Sequence, residues 1–96
     1  VGFAQRVQGS AYLRSGKLEE AVAALQGARD RMRGQDGYAL ERGVLHTDLA
    51  RALARSGKPD HAARMAIEAR SILKAAGGEA PAALLAQFDR EFPPTR

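Results

Sequence analysis

The sequence predicts an all-α fold: two antiparallel helix-turn-helix hairpins closed by a fifth helix. Three observations carry that expectation. Ala, Leu, Arg and Glu, all strong helix formers, dominate the 96 residues, while β-branched and aromatic residues are few. Gly and Pro break the chain at Ser15-Gly16-Lys17, Gly34-Gln35-Asp36-Gly37, Ser56-Gly57-Lys58 and Gly77-Gly78, leaving five segments of helical length. Finally, the chain repeats itself. Shifted by 41 residues, Ala11, Arg14, Ser15, Gly16, Lys17, Ala21, Ala28 and Arg29 meet Ala52, Arg55, Ser56, Gly57, Lys58, Ala62, Ala69 and Arg70. A helical hairpin cannot bury its apolar side alone, so stacking of like units is the physical reason to repeat one.

The five helices are expected near 2–14, 18–33, 38–55, 59–76 and 81–91. Each carries apolar residues at helical spacing rather than strand alternation. The first has Phe3, Val7 and Ala11 on an edge that nothing in the chain is expected to cover. The second has Leu18, Ala21, Val22, Leu25, Ala28 and Met32, with Glu19 and Glu20 in the first turn, where the helix dipole favours negative charge. Leu45, Leu49 and Leu53 run down the third at i, i+4 spacing. The fourth opens on Pro59 and Asp60 and shows Ala62, Met65, Ala66, Ala69, Ile72, Leu73 and Ala76. Pro81 is expected at the first position of the fifth, which aligns Leu84, Leu85, Phe88 and Phe92. Gly34 and Gly77 are placed to take the left-handed conformation after a helix end, and Pro93-Pro94 stops the last helix.

These lengths make one domain over 1–96, with a first unit at about 2–33, a second at about 38–76 and a closing helix at about 81–92. The chain opens on Val1 and its first helix has a bare apolar edge, so it is expected to be the C-terminal part of a longer protein. It has no cysteine, which excludes disulfides and thiolate metal sites. No apolar run approaches the roughly 18 residues of a membrane span and no signal-peptide pattern opens the chain, so a soluble, cytoplasmic setting is expected. The formal charge of +4 is carried mostly by arginine. That fits an acidic partner, and equally a coding bias that writes Arg wherever a helix former suffices.

The repeated residues resemble the tetratricopeptide repeat. Its pattern sets a small residue and an aromatic in helix A, Gly at the turn, and small and bulky apolar residues at fixed places in helix B. The first unit supplies Gly9, Tyr12, Gly16, Ala21, Leu25 and Ala28, and the second Leu49, Ala50, Leu53, Gly57, Ala62, Ala66 and Ala69. The resemblance covers about residues 5–76 and implies a right-handed superhelical stack of hairpins. Two departures stand out. Gln5, Gln8 and His46 replace large apolar residues of helix A, and the repeat is 41 residues long where the family has about 34. The stretch from Leu40 to Ala80, with Asp48-Leu49-Ala50-Arg51-Ala52-Leu53-Ala54-Arg55-Ser56-Gly57, is also similar to the C-terminal repeats of actinobacterial helix-turn-helix transcriptional regulators.

Catalysis finds little support. His46 and His61 fall in different helices without paired-ligand spacing, His46-Thr47-Asp48 point in different directions, and no phosphate loop is present. The expectation is a non-enzyme without cofactor or metal. His46 reads as a packing residue and His61 as a solvated one. The family binds through the concave side lined by helix A, so the resemblance implies outward residues Phe3, Arg6, Ser10, Leu13 and Arg14, then Val44, Thr47, Arg51, Ala54 and Arg55. Among these, Arg6, Ser10, Arg14, Thr47, Arg51 and Arg55 are the candidate binding residues. Their guanidiniums suit a carboxylate-bearing or acidic peptide, because two parallel N–H donors meet two oxygens. A solvated helix face reads equally from the same arginines. Phe3, Val7 and Ala11 are the candidate oligomer or inter-repeat edge. Arg29, Arg31, Arg33 and Arg42 cluster, but without aromatic stacking residues or a groove-reading motif nucleic acid ranks below a protein partner. The alternative to a binding module is an oligomerisation region with no ligand of its own.

Overall fold

A computed structural model describes residues 3–33 and 38–92. Those residues form five helices and no strand: α1 (Phe3–Arg14), α2 (Leu18–Arg31), α3 (Ala39–Arg55), α4 (Pro59–Ala76) and α5 (Glu79–Glu91). The expected Gly34-to-Gly37 break and the Pro93-Pro94 stop lie outside the described residues.

The two Ser-Gly-Lys turns are built alike. Lys17 N–H donates to the Tyr12 carbonyl at 2.9 Å and Gly16 N–H to Leu13 at 3.1 Å; Lys58 N–H donates to Leu53 at 2.9 Å and Gly57 N–H to Ala54 at 3.2 Å. This is the Schellman pattern, which places the residue after the helix end in the left-handed region. Gly16 and Gly57 take φ of 77° and 81° there. A Cβ at either would meet nothing, so the backbone conformation, not space, requires glycine. Each serine adds a cap, Ser15 Oγ–H to Ala11 O at 3.0 Å and Ser56 Oγ–H to Ala52 O at 2.6 Å.

Two end signals differ from expectation. Gly77 has positive φ but ψ of 177°, and Gly78 φ of 87° with ψ of 175°. Both therefore sit in the extended region open essentially to glycine alone, not in the left-handed helical one. Because α5 starts at Glu79, Pro81 is its third residue, still inside the turn whose N–H groups lack intrahelical partners.

Helix α3 packs against all four other helices, and α1 on α2 and α4 on α5 complete the contacts. Its stripe Leu45, Leu49 and Leu53 is fully buried, together with Leu25 and Ala28 of α2, Ala69 of α4 and Phe88 of α5. Burial of a leucine of this kind is worth about 1.5–3 kcal/mol. Leu84, Leu85 and Phe92 are half-buried, so α5 docks mainly through Phe88, whose ring stacks on Phe92 at 4.9 Å between centroids.

The first hairpin closes on a small residue. A Cβ at Gly9 would lie 2.6 Å from Leu25 Cγ, the branch carbon rather than a movable tip. Forty-one residues later the same two places hold Ala50 and Ala66, both buried. The two hairpins thus divide the same space differently, Gly with Leu in one and Ala with Ala in the other.

Gly9→Ala is therefore expected to cost about 1–3 kcal/mol by overpacking, more than the roughly 1 kcal/mol that Ala gains over Gly in a helix. Leu25→Ala alone should cost about 2–5 kcal/mol. The double variant, which copies the second hairpin, should fall short of the sum by at least about 0.5 kcal/mol. Urea denaturation followed by circular dichroism measures all three, and strict additivity would show that the two sites do not share this space.

Candidate functional site

Three of the candidate binding residues, Arg6, Ser10 and Arg51, are linked into one chain of polar contacts across α1, α3 and α5. Arg6 Nε donates to Glu41 Oε2 at 2.7 Å, and its Nη1 reaches Ser10 Oγ at 3.3 Å. Ser10 Oγ–H donates in turn to Asp48 Oδ2. The other oxygen of Asp48 accepts from Arg51 Nη1 at 2.7 Å. Arg51 then forks onto α5, Nε to Glu91 Oε2 and Nη2 to Glu91 Oε1, both at 2.8 Å. Its guanidinium also lies over the Phe88 ring, 5.6 Å from the centroid.

Burial decides what this face can do. The side chains of Arg51 and Asp48 are only 13% and 14% exposed. Burial pulls the Arg51 guanidinium down, but its hydrogen bond to Glu91 and the charges of Asp48 and Glu91 outweigh it and hold it above the usual arginine value. The same hydrogen bond with Arg51 holds the Glu91 carboxyl below its usual value, against a smaller opposing effect of burial. Two guanidiniums here face three carboxylates, so the positive field expected of Arg6 and Arg51 is offset by acids of α3 and α5.

Three residues expected to face outward do not. Ser10 is 3% exposed and Leu13 6%, and Thr47 is fully buried. The Thr47 hydroxyl donates to the Val44 carbonyl at 2.9 Å, one turn back on its own helix. They turn inward because α3 and α5 lie across α1 and α3 and cover the side that a single hairpin would leave open. Arg14 and Arg55 remain exposed at the ends of α1 and α3, and neither guanidinium makes a hydrogen bond to the described residues. Val44 is half-buried and Ala54 exposed. Of the candidate edge, Val7 is 52% exposed and Ala11 is exposed; Phe3 opens α1, and its side chain lies outside the described residues.

A second polar cluster joins α2, α3 and α4. Arg29 Nη2 meets both oxygens of Glu68 at 3.0 Å, and its Nε donates to His46 Nε2 at 3.3 Å. His46 Nε2 therefore accepts, and its Nδ1–H donates to the Arg42 carbonyl at 2.8 Å, which defines a neutral tautomer. Burial lowers the His46 pKa, reinforced by the charges of Arg29 and Arg42 and opposed by the Arg42 carbonyl and Glu68. His61, expected to be solvated, is half-buried and meets Gln26 of α2 at 3.4 Å. Further along, Arg70 binds Asp89 Oδ1 at 2.8 Å and the Phe92 carbonyl, and lies over the Phe88 ring at 5.4 Å.

Sequence reasoning missed the acids Glu41, Asp48, Glu68, Asp89 and Glu91. A signal existed in the repeat itself. Ser10 and Arg51 are 41 residues apart, as are Arg29 and Arg70. Each reaches an acidic residue on a helix of the following unit or on α5: Asp48, Glu91, Glu68 and Asp89. The arginine cluster near the second turn is broken up in the same manner, with Arg29 on Glu68 and Arg33 on Asp30 at 2.9 Å. No group of three or more metal-ligating side chains occurs among the described residues. No helix among them is long and apolar enough to cross a membrane. No protein-family model, curated protein or solved structure matches the chain. The tetratricopeptide resemblance therefore stands on the residues that carry it.

The His46 cluster predicts a pH dependence. The folded pKa lies below the 6.5 of free histidine, so as pH falls the unfolded chain takes up the proton first. The full stability is present above that value and is lost progressively below it, down to the folded pKa. Thermal unfolding between roughly pH 7 and 5 should show this slope, and His46→Gln should flatten it. An unchanged slope in that variant would place the pH sensitivity elsewhere.

Proposed function

We propose that this chain is a protein-interaction segment of a tetratricopeptide-type helical scaffold, in which α1 and α3 act as successive A helices and α5 closes the stack. Its ligand is an acidic or carboxylate-bearing peptide, and its setting is an intracellular regulator of the kind the sequence resembles. The observation that carries this reading is the pair Arg14 and Arg55. They occupy equivalent positions 41 residues apart, both exposed, each followed by an exposed lysine, Lys17 and Lys58. Arg6 and Arg51, by contrast, are already held by carboxylates of the chain. Recognition thus belongs to the turn-proximal end of the face, and its middle serves as a structural seam.

Arg14 and Arg55 also sit in the last turns of their helices, where a cation complements the dipole. The test must therefore separate binding from stability. Arg14→Ala with Arg55→Ala should weaken capture of an acidic-C-terminal peptide library at least about tenfold, a loss of roughly 1.4 kcal/mol, while moving the unfolding midpoint little. Arg51→Ala should do the reverse and cost about 1–2 kcal/mol of stability, because Asp48 loses its cation in a partly buried seam while the exposed Glu91 returns to water. Fluorescence anisotropy and urea denaturation read the two effects. Peptide capture that is indifferent to Arg14 and Arg55 would sink the proposal.

The second reading, an oligomerisation region without its own ligand, is favoured by the exposed Val7 beside exposed Ala4 and Ala11 on α1. Under that reading Val7→Glu changes the association state and no peptide is captured.

A further inference from the structure

Helix α4 carries a face that the fold covers on its counterpart α2. Leu18, Val22, Gln26 and Arg29 of α2 lie 41 residues before Pro59, Ala63, Ile67 and Arg70 of α4. On α2 this face is packed: Leu18 and Val22 lie against the core, Gln26 meets His61, and Arg29 is held by Glu68. On α4 it is open. Ile67 is 65% exposed, Ala63 is exposed, and a groove of ≈ 320 Å³ runs beside them to Phe92 at the end of α5. Where α2 offers the polar Gln26, α4 offers an isoleucine.

The charge pattern on α4 indicates what covers it. Asp60 and Lys74 stand seven residues to either side of Ile67, and Ala63 and Ser71 four residues to either side. All four are exposed. These spacings put the five residues on one face of the helix. Two copies of α4 laid antiparallel about Ile67 would therefore set Ile67 on Ile67, Ala63 opposite Ser71 of the second copy, and Asp60 opposite Lys74 of the second copy. The small residues allow close approach, and the opposite charges meet twice about the two-fold axis. A parallel arrangement would instead oppose like charges. Arg70 is turned back onto Asp89 and the Phe92 carbonyl, and Arg64 is exposed and free to stay in water.

We propose that a second copy of this chain docks on the α4 face, forming an isologous antiparallel dimer centred on Ile67. This surface is separate from the helix-A face and from the Val7 edge, and it does not depend on the peptide-binding reading.

Sedimentation equilibrium of the purified chain should show a monomer–dimer equilibrium. Ile67→Glu should raise the dissociation constant at least about a hundredfold, as loss of a central apolar anchor does. Because Ile67 is exposed in the single chain, circular dichroism should show that this variant remains folded. Asp60→Lys and Lys74→Asp should each weaken the dimer about fivefold, and together should restore it to within about threefold of the parent. The proposal is overturned by a chain that stays monomeric up to roughly 1 mM. It is equally overturned by a dimer that Ile67→Glu leaves intact and Val7→Glu breaks, or by a double charge reversal no better than either single one.

Discussion

The central place of α3, in contact with every other helix, is the constraint from which the rest of the structure follows. Where α3 meets its neighbours a polar side chain must find a partner other than water, and there it carries His46, Thr47, Asp48 and Arg51. Thr47 closes its hydroxyl on its own helix, and His46 anchors Nδ1 on the Arg42 carbonyl. Asp48 and Arg51 satisfy each other and then bind outward to α1 and α5. The requirement that buried polar groups be paired thus becomes the means by which the helices are held in register.

Those links recur because the sequence does. The position that Ser10 and Arg51 share reaches to the next helix on the α1–α3–α5 side, and the position that Arg29 and Arg70 share reaches onward from the α2 and α4 side. Apolar burial supplies most of the stability but is indifferent to small shifts along a helix. Guanidinium–carboxylate pairs are directional, so they select one register among the many that an Ala-rich and Leu-rich interface would tolerate. Phe88 combines both roles at the end of the stack, fully buried and covered by the guanidiniums of Arg51 and Arg70.

This arrangement changes where partners can act. An arginine face read from a helical wheel is a set of donors waiting for a ligand, whereas here the middle of that face is closed by the protein's own carboxylates. Of the α1 and α3 arginines considered for binding, Arg14 and Arg55 near the two turns are left in solvent, and large apolar side chains left in solvent include Val7 of α1, Leu40 of α3 and Ile67 of α4. The recognition and the self-association proposed above would thus use different surfaces, and one would not have to compete with the other.

By itself the sequence determined the five helices, their bounds to within two residues, and the like construction of the two Ser-Gly-Lys turns. Apolar periodicity, glycine and proline act within a few residues and need no knowledge of neighbours. It determined as well that Leu25, Leu45, Leu49, Leu53 and Phe88 belong to the core. Tertiary structure alone decided the state of the polar residues. Ser10 and Thr47 turned inward, and Arg6 and Arg51 became structural, because partners 35 to 40 residues away in sequence came within hydrogen-bonding distance of Arg6, Ser10 and Arg51, while α3 lay buried among its neighbours. A side chain's helical position fixes the direction in which it leaves the helix. Whether it meets water, a carboxylate or another helix depends on how the helices pack.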